Sequence, residues 1–173
     1  MDNVKNYNLE EVAVLIVEDN PHMRNLMTQM IRGMRVADVR TAEDGAAALR
    51  EMKTFSPDLV FCDWEMSPID GLEFTRMVRT AEDSSNPFVP IVLVTGHTEA
   101  QRVAEARDAG ITEFLAKPVS IKLLYERICW VIDHPRQFVQ TGDFKGPDRR
   151  RVKDKVKSQL GRRAKDANNA EDD

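Results

Sequence analysis

With 173 residues, 42% of them hydrophobic, the chain can bury the core of one domain and carry an appendage. Its 25 Lys/Arg and 29 Asp/Glu leave a net charge of −4, unevenly spread: residues 145–173 hold ten basic and six acidic residues, a net +4, so residues 1–144 carry −8. The first nine residues are polar and no apolar run approaches the roughly 18 residues of a membrane span, so neither a signal peptide nor membrane insertion is expected, and a soluble cytoplasmic protein is.

Val12–Val17 (VAVLIV) is a short, continuous apolar run rich in β-branched residues, a strand buried on both faces. Met23, Leu26, Met27, Met30 and Ile31 then repeat at three and four, the spacing of a helix. Ala37–Arg40 reads as a weaker strand. Ala46, Leu49 and Met52 form a second helical stripe after Asp44-Gly45. Leu59–Cys62 (LVFC) repeats the buried-strand pattern, and Leu72, Phe74, Met77 and Val78 follow Asp70-Gly71 as a third helix. Ile91–Val94 (IVLV) is a fourth strand. Val103, Ala106 and Ala109 give a weak helical stripe ended by Gly110. Glu113–Ala116 is the fifth strand, and Ile121, Leu124, Ile128 and Val131 a strong stripe after Ser120. Strand and helix alternate five times, which predicts an α/β domain, a doubly wound parallel sheet over residues 8–134. Cys62 and Cys129 fall in apolar runs and have no metal-ligand or disulfide spacing. Residues 135–147, interrupted by Pro135, Gly142, Gly146 and Pro147, read as a linker. Residues 148–167 form a basic tail, and 168–173 a disordered acidic end.

In open α/β sheets functional groups collect beyond the carboxyl ends of the strands. The residues just past each run are Glu18-Asp19, Asp63, Thr95 and Lys117-Pro118. Clustered carboxylates repel unless a hard divalent cation neutralises them, and Mg²⁺ prefers oxygen ligands. A metal-screened Asp can attack a phosphoryl group and become an acyl phosphate. A Lys and a Thr hydroxyl can then hold the phosphoryl oxygens. A lone Asp after a strand is more often a helix cap, but here all five positions are filled in order.

The stretches "VLIVEDN", "DLVFCDWEMSPIDGLEF", "IVLVTGH" and "FLAKPV" resemble the receiver domain of CheY-like bacterial response regulators, over about residues 10–133. The resemblance implies the sheet order 2-1-3-4-5 and phosphorylation at Asp63. It implies that Glu18, Asp19 and Asp63 bind Mg²⁺ with help from the backbone carbonyl of Glu65. It also implies that Thr95 and Lys117 contact the phosphoryl group, and that Phe114 is the aromatic switch residue. A histidine kinase or phosphotransfer protein would donate the phosphoryl group. Ser67-Pro68 departs from the commoner pattern by one place. Glu65 and His97 occupy positions that in this family influence how fast the acyl phosphate hydrolyses. No output domain is legible after the receiver, so a regulator acting through protein contact, not an enzyme, is expected.

The tail says one thing twice: Arg150-Arg151-Val152-Lys153-Asp154 returns twelve residues later as Arg162-Arg163-Ala164-Lys165-Asp166. Arg can donate two hydrogen bonds to guanine O6 and N7, and Asp can accept from the opposite edge. A second Arg beside each pair can reach a phosphate or stack on the base. Two such units match a ligand with two guanines and two phosphates, cyclic di-GMP. Val152, Val156 and Leu160 could form a helical stripe that ends at Gly161, yet the segment is too short and charged to be a stable helix alone. Folding upon binding would cost about 2–5 kcal/mol. The layout also resembles the Cle proteins, CheY-like effectors whose arginine-rich tail binds cyclic di-GMP. That resemblance implies ligand contacts from Arg149, Arg150, Arg151, Asp154, Arg162, Arg163 and Asp166. It implies docking on the flagellar motor switch at the cell pole, with control of motility or surface attachment. Two rivals stand beside this reading. One is a phosphorylation-driven chemotaxis or phosphorelay regulator with an incidental tail. The other is a polyanion or nucleic-acid binder, whose affinity would fall steeply with salt.

Overall fold

The computed structural model describes residues 7–96, 100–142 and 144–148. Five parallel strands alternate with five helices: β1 Ala13–Val17, α1 Pro21–Gly33, β2 Asp38–Ala42, α2 Gly45–Glu51, β3 Leu59–Asp63, α3 Gly71–Thr80, β4 Ile91–Thr95, α4 Ala100–Ala109, β5 Glu113–Ala116 and α5 Ile121–Asp133. The sheet order is β2-β1-β3-β4-β5, as expected. Every residue of β3 and β4 is buried, because helices cover both faces of a parallel sheet.

Strand side chains alternate between two cores. Leu15, Val17, Val60, Cys62, Ile91 and Leu93 pack with Ala48 of α2, Phe74 and Val78 of α3, and Ala106 of α4. Val14, Ile16, Leu59, Phe61, Val92 and Val94 pack with Met27 and Ile31 of α1 and Leu124 and Ile128 of α5. The helices start where the sequence marks them. Asn20 accepts from the backbone N–H groups of His22 and Met23, Asp44 from Ala47, Asp70 from Glu73 and Ser120 from Leu123. Each such cap is worth about 1 kcal/mol. No described helix is long and apolar enough to cross a membrane.

Residues 135–147, expected to be a linker, instead contain an antiparallel hairpin, β6 Phe138–Thr141 and β7 Phe144–Pro147. The glycine that reads as a linker break is turn chemistry: Gly142 adopts φ +53° between the two strands. The hairpin packs on the domain. Phe138 meets Phe88 edge to face, with ring centroids 5.3 Å apart. The guanidinium of Arg79, at the end of α3, lies 5.0 Å from the Phe138 ring centroid. Arg79 is only 1% exposed, and it donates to the carbonyls of Gly110 and Pro87 at 3.1 and 3.0 Å. Burial pulls its guanidinium down to about 9. Gly110 has φ +97°, and a Cβ there would press on the Arg79 side chain and the Lys145 carbonyl. Arg136, just before β6, binds Glu113 of β5 at 2.6 Å, and Arg127 of α5 holds the other oxygen of Glu113 at 3.2 Å. Pro87, Phe88, Gly110 and Glu113 all lie where β4 and β5 begin. The hairpin therefore covers the amino-terminal edge of the sheet.

Candidate functional site

The opposite, carboxyl-terminal edge gathers the acidic residues expected there. Glu18 and Asp19 follow β1, Asp63 ends β3, Thr95 ends β4 and Lys117 follows β5. Ligand atoms of Glu18, Asp19 and Asp63 all lie within 4.8 Å of one another. Glu18, Asp63 and Thr95 are buried, and Asp19 is exposed at the opening. Lys117 Nζ is 2.9 Å from Asp63 Oδ1 and 3.9 Å from Glu18 Oε2.

Backbone bonds fix these positions. The Trp64 N–H donates to Val94 O at 3.0 Å and the Lys117 N–H to Thr95 O at 2.9 Å, tying the three strand ends together. Gly71 lets α3 approach: a Cβ there would collide with the carbonyl oxygen of Asp63. Arg24 of α1 donates to the carbonyls of Glu18 and Asp19 at 2.7 and 3.3 Å, shaping the β1–α1 turn. Phe114, the expected switch residue, is half-buried on β5 and packs on the core shared with α4.

The electrostatics follow from the crowding. Burial first, then the charge of Asp63, push the Glu18 carboxyl up to about 7. Burial also pushes Asp63 up, while its hydrogen bond from Lys117 pulls it down. Burial lowers Lys117, but the bond to Asp63 and the charges of Asp63, Glu18 and Asp19 together outweigh it, and the ammonium is held above its ordinary value. Glu18 Oε2 is buried without a hydrogen-bond partner. A buried carboxylate oxygen with no donor, beside two further carboxylates, fits a hard divalent cation such as Mg²⁺. The side chain of Glu65 pairs with Arg102 of α4 at 3.8 Å. Sequence spacing gives no hint of Arg24 or Arg102, since neither follows a strand. His97 and the tail residues Arg149, Arg150, Arg151, Asp154, Arg162, Arg163 and Asp166 lie outside the described residues.

Comparison with known proteins agrees with this architecture. The family model for the response regulator receiver domain matches residues 14–129. The chain is 27% identical over 128 residues to the chemotaxis protein CheY-3 of Vibrio cholerae, covering 74% of this chain and 95% of that protein. The structure of the Vibrio cholerae chemotaxis protein CheY4 superposes with a TM-score of 0.65 at 29% identity, over 70% of this chain and 99% of that one. The receiver domain of the Arabidopsis thaliana histidine kinase CKI1, solved in complex with Mg²⁺ and BeF₃⁻, superposes with a TM-score of 0.60 at 28% identity, over 70% of this chain and 92% of that one. A receiver of this kind is a signalling module and not an enzyme. With its fold, its acidic pocket and the family match in agreement, the chain belongs to the response regulator receiver domain family.

Proposed function

We propose that the chain is a phosphorylation-driven, CheY-like response regulator whose phosphoacceptor is Asp63. The observation that carries this reading is the pocket itself: a buried Asp at a strand end, 2.9 Å from a Lys ammonium and beside two further carboxylates. An Asp63 oxygen attacks the phosphorus of a phosphohistidine on a histidine kinase or phosphotransfer protein, and the bond from phosphorus to the histidine nitrogen breaks. Lys117 and the Thr95 hydroxyl hold the phosphoryl oxygens. Glu18, Asp19 and Asp63, with the carbonyl of Glu65, would hold Mg²⁺, which when bound neutralises the charge of the incoming phosphoryl group. Phe114 and α4 relay the change to a docking partner, which the resemblance noted in the sequence makes the flagellar motor switch. The test is phosphoryl uptake from phosphoramidate in Mg²⁺. Wild type should be labelled and Asp63→Asn should not; equal labelling of both would sink the assignment.

A second reading adds cyclic di-GMP as a ligand of the tail. It rests on the repeated Arg-x-x-Asp units at Arg151–Asp154 and Arg163–Asp166 in the sequence. Calorimetric titration of cyclic di-GMP into the full chain tests it, with a variant carrying Ala at Arg150, Arg151, Arg162 and Arg163 as the control. Binding lost in the variant supports the reading. Absence of binding by the wild type leaves phosphorylation as the sole input. Steeply salt-dependent binding to any polyanion would favour the nucleic-acid rival.

A further inference from the structure

We propose that residues 149–160 dock back onto their own domain, in a cavity between the amino-terminal segment, the α1–β2 turn and α5. The inference does not rest on the phosphorylation reading: Leu9 and Glu10 of this cavity precede β1 and Met34 and Arg35 precede β2, whereas Asp63 ends β3. The cavity has a volume of about 460 Å³, in the range that holds a small ligand. Buried Leu9 and half-buried Tyr7, Met34 and Tyr125 supply its apolar wall. Glu10 and Arg35 supply a polar side and face each other at 3.8 Å, with both side chains mostly exposed. An exposed ion pair of this kind is weak, so either charge exchanges partners readily. Glu11, next in the chain, and Asp133, which accepts the Tyr7 hydroxyl, add two more carboxylates beside the cavity.

Three features select the occupant. The first is reach. The described residues end at Asp148, whose backbone N–H donates to Gln137 O at 2.7 Å. Gln137 is four residues past Asp133, a span of at most ~14 Å when fully extended. A further four residues of tail cover the same distance and put Val152 within reach of the cavity. The second is charge. Residues 149–160 carry six Lys/Arg against one Asp, and residues 1–144 carry −8. The third is pattern. Val152, Val156 and Leu160 recur at every fourth position, and on a helix that stripe is about 12 Å long. Alone the segment is too short and charged to hold a helix, but the wall of Leu9, Met34 and the two tyrosines gives the stripe an apolar surface to fold against. The tether makes docking intramolecular, at an effective concentration in roughly the millimolar range, so a weak fit suffices.

Docking sets a condition on whatever the tail binds. Arginines engaged with Glu10, Glu11 and Asp133 are screened from an outside anion. An anion that grips Arg149, Arg150 and Arg151 competes with those carboxylates and releases the segment from the domain.

The experiment is two-dimensional amide NMR of the full chain, with hydrogen exchange of the same amides. In the wild type the amides of residues 152–160 should be protected. Val152→Ser, Val156→Ser and Leu160→Ser together leave the domain itself unaltered. They should abolish that protection and shift the resonances of Leu9, Glu10, Arg35 and Tyr125, while those of the acidic pocket stay in place. Glu10→Lys with Glu11→Lys, both at exposed positions, should also release the tail. An unprotected wild-type tail, protection that survives either set of substitutions, or cavity resonances indifferent to the tail overturns the inference. Cavity shifts produced instead by deleting residues 1–6 would assign the cavity to the amino terminus. Shifts that scale with protein concentration would assign it to a second copy of the chain. Either result overturns docking of the tail.

Discussion

Truncating Phe138 to Ala tests whether the terminal hairpin supports the domain. Phe138 offers its face to the buried Arg79 guanidinium and one edge contact to Phe88, at 5.0 and 5.3 Å. A fully buried Phe→Ala change costs about 3–5 kcal/mol. Phe138 is half-buried, which roughly halves that figure. The ring pair and the cation over the ring are worth about 1 kcal/mol each, and much of this is contained in the packing loss. Water reaching Arg79 returns part of the hydration that burial removed, and works the other way. The net expectation is about 2 kcal/mol, or a Tm lower by ~4–8 °C for a chain of this size. Urea unfolding followed through Trp64 and Trp130 should show a lower midpoint with an unchanged slope. A shift below about 0.5 kcal/mol would refute the reasoning, and would make the hairpin a passenger on the sheet edge.

Glu18 gives a pH prediction with a definite sign. Its folded value, about 7, lies above its ordinary 4.5, so its contribution to stability is fully present below about 4.5 and is lost as pH rises through about 7. Thermal melts of metal-free protein should show this loss, Glu18→Gln should reduce it, and Mg²⁺ should raise the Tm more at pH 8 than at pH 5. An equal Mg²⁺ response at both pH values would contradict the cation assignment. Gly71→Ala should destabilise by about 1–3 kcal/mol, because the added Cβ meets the Asp63 carbonyl oxygen and Leu93, and backbone cannot yield cheaply. A melt unchanged within error would show that α3 can move. Asp70→Ala should cost about 1 kcal/mol by removing the 2.8 Å bond from the Glu73 N–H, read by the same denaturation curves.

The five strands and five helices were legible because each obeys a local rule. Leu59–Cys62 and Ile91–Val94 are unbroken apolar runs, and Asp44, Asp70 and Ser120 announce the helices they cap. The pocket was legible for the same reason, since each of its residues ends or follows such a run. What escaped the pattern depends on distant partners. The stripe on α3 points to Met77 as core, yet Met77 is 37% exposed while Arg79, a charged residue, is fully buried. The burial of Arg79 is set by partners away from its own helix, the Pro87 and Gly110 carbonyls and the Phe138 ring of the hairpin. The hairpin itself carries too few apolar residues to announce strands, and its glycines serve a turn and a close approach as readily as a linker. Glu65 and Arg102 are far apart in sequence and meet only because β3 and α4 share one end of the sheet.

The docking of the hairpin also fixes a polarity. Asp148 donates its backbone N–H to Gln137 O at 2.7 Å, so the chain leaves the hairpin beside the point where it entered, on the amino-terminal edge of the sheet. Asp63 lies at the other end of strands five residues long, roughly 16 Å away at the usual rise. Whatever is attached beyond residue 148 starts its reach from the far pole. The domain presents its acidic pocket and the end of its hairpin at opposite poles of the sheet.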